Sequence, residues 1–153
     1  MEYERFEQHD VLRLDPGEEV MATLLDFVRR ENIEGAYFLA FGGFSSVHLR
    51  YFDVESKQFR PHDVDQQVEV VSLLGNVARG DVGPIVHVHV AVSDAQARTY
   101  SGHLAEGVVR PTLEVFLTRL EGRIRRVTDP STGLELLALP GRPNTTRRRG
   151  VAQ

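Results

Sequence analysis

Apolar positions along the chain repeat with two periods. Val20, Leu24 and Val28, with Met21 and Leu25 beside them, fall at helical spacing and predict one amphipathic helix. Asp15-Pro16-Gly17-Glu18 precedes it, with an N-cap aspartate, a proline at the first helical position and a glutamate three after the cap. Glu18 and Glu19 suit the positive end of its dipole and Arg29 and Arg30 the negative end, and the helix is expected to stop near Asn32. Before it, Val11-Leu12-Arg13-Leu14 alternates enough to be a strand.

After the helix the period falls to two. Strands are predicted over 35–41 and 44–53, on either side of a Gly42-Gly43 turn or bulge, then over 68–74, 84–92, 99–104, 111–120, 123–127 and 134–137. One early helix followed by hairpins predicts an α+β fold with a largely antiparallel β-sheet. From Pro140 onward Pro, Gly, Asn, Thr and Arg dominate, so the division expected is a folded domain over 1–139 and a disordered Arg-rich tail over 140–153.

The strand over 84–92 carries the most chemistry. Val86, Val88, Val90 and Val92 share one face; His87, His89 and Ala91 share the other. A polar connection leads to Thr99-Tyr100-Ser101-Gly102-His103-Leu104, where Tyr100 and Leu104 take the apolar face and His103 the polar one. Keeping the apolar faces together leaves two registers. A loop of 93–97 sets His87 opposite His103, and a loop of 94–98 sets His89 opposite His103. Either one gathers three imidazoles on one face, and Gly102 would leave space beside them.

Composition narrows the metal. The chain has no cysteine, so thiolate sites and disulfides are excluded and any ion needs imidazole or carboxylate ligands. His87, His89 and His103 with a fourth position open match the catalytic-type pattern for a divalent metal, zinc first. Glu114 faces away from Leu113, Val115 and Leu117, and is expected to orient a ligand histidine or to act as a base. His9, His48 and His62 lack such partners and read as surface residues.

Charge and hydropathy bear on partners. The net charge is −4, and the segment 140–153 holds Arg142, Arg147, Arg148 and Arg149 without an acid, so the rest carries −8. That body is expected to repel nucleic acid, leaving only the tail for weak contacts with phosphate. Pro140-Gly141-Arg142-Pro143 echoes the centre of a minor-groove hook with its first arginine replaced. The acidic N-terminus is not a signal peptide and the apolar run over 35–44 is too short to span a bilayer, so no membrane partner and a cytoplasmic location are expected.

Leu14-Asp15-Pro16-Gly17-Glu18, Gly42-Gly43, 69–76, His87-Val88-His89, Gly102-His103-Leu104 and Glu114-Val115, in that order, resemble the PPC family, named for a domain shared by plants and prokaryotes. The resemblance runs from about Arg13 to Glu121. It implies a sheet flanked by helices, a homotrimer, and in prokaryotic members a metal held at the positions of His87, His89 and His103. It also implies a regulatory or DNA-binding role. Gln66-Gln67-Val68-Glu69-Val70-Val71 departs from the partner motif of plant members, which puts plant-type partners in doubt. A cupin, the rival fold with a His-x-His pair, would need a nearby glutamate and a late histidine element that this sequence lacks. The function expected is a trimeric metal-binding module. The alternative is a metal-dependent enzyme acting on a small polar substrate at the open position, with Glu114 or Asp94 as base.

Overall fold

Alternation of apolar and polar residues sets the strands, and backbone pairing extends them beyond the alternating segments. The computed structural model describes residues 1–139. The elements, in order, are β1 (Glu2–Phe6), β2 (His9–Leu14), α1 (Val20–Arg30), β3 (Ala36–Asp53), β4 (Gln58–Val64), β5 (Val68–Arg79), β6 (Pro84–Ser93), β7 (Thr99–Arg119), β8 (Arg125–Thr128) and β9 (Glu135–Ala138).

The expected α+β class, a sheet flanked by helices, is corrected here. Strand makes up 63% of the described residues, with a single short helix among them. The difference has two physical sources. β1, with every residue exposed, and β4, with only Val64 buried, show almost no apolar face and are strands through backbone pairing with β2 and β3. Where breaks between strands were expected, the chain bends without leaving the sheet: Ala36–Asp53 forms one strand, and Thr99–Arg119 another. Gly42 makes the first bend possible. Its φ is +147°, and a Cβ there would lie 2.2 Å from the Thr112 carbonyl oxygen.

β3 pairs with β5, β5 with β6, β6 with β7 and β7 again with β3, so these four strands close a ring. β2 and β1 extend it beyond β7, and the β8–β9 hairpin hangs from the end of β5. Phe38, Phe44, Leu49, Leu73, Leu104 and Leu113 are buried in the core. Helix α1 covers it with Val20, Leu24, Phe27 and Val28, each worth about 1.5–3 kcal/mol of burial. Gly75 lets the Phe38 ring lie against β5, for a Cβ there would meet that ring at 2.2 Å.

The helix start also differs from expectation. Glu19 is the N-cap, and its carboxylate accepts from the Met21 and Ala22 amides. The Asp15–Glu18 segment is a separate turn, closed by Glu18 N donating to Asp15 O (3.2 Å) and Asp15 N donating to the Glu18 carboxylate (2.7 Å). The cap therefore lies four residues after the Asp15 that the pattern predicts. The helix end agrees: Glu31 is the C-cap and Asn32 has a positive φ.

Candidate metal centre

β6 and β7 pair with His89 opposite His103. Of the two registers the alternation allowed, this is the one with the connection at 94–98. Asp94 selects it. Its buried carboxylate accepts from the amides of Gln96 (2.9 Å) and Arg98 (3.0 Å) and from Arg98 Nε (2.7 Å), while Asp94 N donates to Arg98 O. These bonds close the loop at one length. Val88, Val90 and Val92 then point into the core, and the histidines point outward.

One nitrogen from each of His87, His89 and His103 lies within 4.8 Å of the others. Ring centroids are 5.1 Å apart for His87 and His89, 5.0 Å for His87 and His103, and 5.4 Å for His89 and His103. Tetrahedral ligands at about 2.1 Å from an ion stand about 3.4 Å from one another, so modest ring rotations bring the three nitrogens onto one ion. His87 and His103 are half-buried and His89 is exposed. Burial pushes the His87 pKa down to about 4, helped by Arg126, His103 and His89. Burial also lowers His103, with His89 and Arg50 acting the same way. Both rings are therefore neutral near pH 7, which is the form that binds a metal. The donor set fits a divalent ion.

Arg126 on β8 is the residue the sequence reading missed. It is 7% exposed, and its Nη2 lies 3.0 Å from His87 Nδ1 and 3.0 Å from the Asn76 side-chain oxygen. Nη1 donates to the Glu135 carbonyl oxygen at 2.6 Å. A signal was available: Arg126 is in phase with Ile124, so strand parity puts it on an inward face. The histidines and Arg126 line a cavity of about 700 Å³ on the outside of the ring. One wall is the β3–β4 hairpin, with Phe52 and Phe59; the other is the β8–β9 hairpin, with Leu134 and Leu136.

The other predicted positions lie elsewhere. Glu114 is exposed, pairs with Arg13 and Phe41 across the sheet, and does not line the cavity. Asp94 is committed to its loop. Gly102 lines the cavity, but the space it leaves lets the Arg50 carbonyl approach, 3.0 Å from where a Cβ would be. His9 contacts Thr118 and His48 contacts Asp63, and neither joins the cluster. His62 stands beside Tyr100, also apart from it. Arg142, Arg147, Arg148 and Arg149 lie outside the described residues.

A family model for the Plants and Prokaryotes Conserved (PCC) domain matches residues 1–121. The chain belongs to the PCC-domain family. It is 31% identical to a plant- and prokaryote-conserved (PPC) protein from Pyrococcus horikoshii, covering 90% of this chain and 94% of that one with a TM-score of 0.81. It is 32% identical to a metal-containing protein from Archaeoglobus fulgidus, covering 90% and 97% with a TM-score of 0.80. Over 129 residues it is 36% identical to the bifunctional protein GlmU of Synechococcus sp. (strain JA-3-3Ab), covering 82% of this chain. This PCC chain spans about a fifth of the length of the curated relatives it matches. The PCC match ends before the hairpin that supplies Arg126. Among the described residues, no helix is long and apolar enough to cross a membrane.

Proposed function

We propose that this PCC-domain protein holds one divalent ion, zinc first, through His87, His89 and His103, and receives a small ligand at the open position. The observation that carries the reading is the approach of the three imidazole nitrogens within 4.8 Å, on strands whose register a buried aspartate fixes. An all-nitrogen donor set from a cysteine-free chain suits zinc and its neighbours in the first transition row. The metal-containing relative from Archaeoglobus fulgidus supports it. A bound ion would supply a Lewis acid to polarise an oxygen ligand. The chain's own residues keep the His87 and His103 imidazoles neutral by burial and shape the cavity with aromatic and aliphatic walls. Neither carboxylate proposed as a base from sequence, Glu114 or Asp94, lines that cavity.

The same reading includes a homotrimer. Leu39 stands opposite Leu74 on β5 and opposite Phe116 on β7, and all three are at least two-fifths exposed. Tyr37 and Phe41 continue this outward apolar face, and Phe41 stacks on Phe116 at 5.7 Å between centroids. A contiguous apolar face of this kind supports self-association. A regulatory role through DNA would rest on the arginines of 140–153, since the remainder carries −8. Elemental analysis of purified protein tests the metal reading. About one ion per chain is expected, and a metal content unchanged in the His87→Ala, His89→Ala and His103→Ala variants would overturn it.

A further inference from the structure

Arg126 is a buried cation that the Glu135 charge offsets only at a distance. Its hydrogen bonds go to a carbonyl, an amide oxygen and a neutral imidazole, and its Nε is buried with no partner. No carboxylate among the described residues forms an ion pair with it. Burying an uncompensated charge is costly, and a fold that keeps one commonly presents it to something of opposite sign. Arg50, opposite His103 on β3, lines the same cavity and likewise makes no ion pair among the described residues. Among the described residues the lining holds two arginines and one acidic residue, Glu135, so its side chains sum to one net positive charge with the histidines neutral. Around these groups stand Phe52, Phe59, Leu134 and Leu136. Phe59 lies 5.5 Å from the His103 ring, between centroids, so apolar surface reaches the metal ligands themselves.

We infer that the cavity binds a small organic carboxylate, its oxygens held by Arg126 and Arg50 beside the three histidines and its apolar body packed against the two hairpins. Arg50 offers parallel N–H groups that match a carboxylate's two oxygens, Arg126 adds its charge and the Nη1 hydrogen not given to Glu135, and one net positive charge suits a monoanion. About 700 Å³ is the size of a pocket for a small metabolite. Asn76 and the Glu135 carbonyl hold the guanidinium in place, so the anchor is preorganised. The inference deepens the metal-and-ligand reading above and rests on it for the role of the open position; the arginine anchor itself can be tested with the metal absent.

The test is a calorimetric titration with benzoate, with benzyl alcohol as a neutral probe of the same shape, on zinc-loaded and on metal-free protein. Metal content is measured on the same samples. Benzoate is expected to bind at least tenfold more tightly than benzyl alcohol and to shift the ring NMR signals of His87 and His103. Arg126→Met should lose at least tenfold in benzoate affinity at matched metal occupancy, with little change for benzyl alcohol, and Arg50→Met should lose less. If Arg126→Met does not fold, as judged by circular dichroism, Arg126→Lys and Arg50→Met carry the same comparison. Equal binding of the two probes, or benzoate binding indifferent to both arginines, would overturn the inference. So would phenyl phosphate binding more tightly than benzoate, which would assign the site to phosphate esters. Failure to take up zinc, with benzoate still bound through Arg126, would sink the metal reading and leave the anion site standing.

Discussion

Arg126 Nη2 lies 3.0 Å from Nδ1 of His87, and because a guanidinium only donates, the imidazole nitrogen is the acceptor. A neutral imidazole has one lone pair, so Arg126 and a metal ion contest the same electrons whichever nitrogen carries the proton. Arg126 also places a positive charge beside the site, which opposes a cation. Arg126→Met is therefore expected to bind zinc more tightly than the wild type, by about tenfold, the size of one charge-assisted hydrogen bond. Competition against a chelator of known affinity checks this. Weaker zinc binding by the variant would show that Arg126 supports the metal site.

The histidine cluster makes the metal-free protein sensitive to acid. The folded pKa of His87 is depressed to about 4 and that of His103 is lowered as well, both chiefly by burial. Between the unfolded value near 6.5 and these depressed values, the unfolded chain binds more protons than the folded one. Stability from these groups is thus fully present above about pH 6.5 and lost as pH falls toward about 4. His48, raised by its hydrogen bond to Asp63, acts with the opposite sign but is exposed and screened. Urea midpoints of metal-free protein should fall between about pH 7 and about pH 5, and His87→Gln should flatten that fall. An equally steep fall in the variant would place the sensitivity elsewhere.

Asp94 fixes the β6–β7 connection and with it the pairing of His89 with His103. Asp94→Ala leaves two backbone amides and the Arg98 side chain without their acceptor and should cost about 1–3 kcal/mol. Zinc affinity should fall with it, because the ligand strands lose their fixed register. Asp94→Asn keeps an acceptor oxygen and should cost less. Denaturant unfolding of both variants decides the point, and a cost near zero for Asp94→Ala would show that the register is set by strand pairing alone.

Much of the site was legible because β6 obeys a simple period. Four valines on one face oblige His87 and His89 to share the other, and the parity of Tyr100 and Leu104 brings His103 to the same side. The loop length was not legible from parity, since both registers preserve the faces; the decision lies in a side chain that bonds backbone amides within its own loop. Strands without an apolar face, β1 and β4, gave no periodic signal, and bends at Gly42 and near Pro111 read as breaks. Those two effects made the fold look less sheet-rich than it is. Glu114 was correctly placed off the core, but position along a bent strand, and not facing alone, decides whether a residue reaches the histidines.

The outward apolar face predicts the assembly. Leu39→Glu or Phe116→Glu places a charge at the junction of β3, β5 and β7, where three exposed apolar side chains meet. Light scattering of the wild type is expected to give three times the chain mass of 17.2 kDa, and of the variants the single-chain mass. A wild type that scatters as a single chain at micromolar concentration would remove the trimer from the account.

The coordination itself can be read directly. X-ray absorption at the zinc edge of loaded, dialysed protein should show three imidazole nitrogens at about 2.0–2.1 Å and one further oxygen or nitrogen scatterer in the remaining position. In His103→Ala the imidazole signature should weaken and most of the zinc should be lost. A spectrum without imidazole scattering, or one that His103→Ala leaves unchanged, would contradict the assignment of His87, His89 and His103 as the metal ligands.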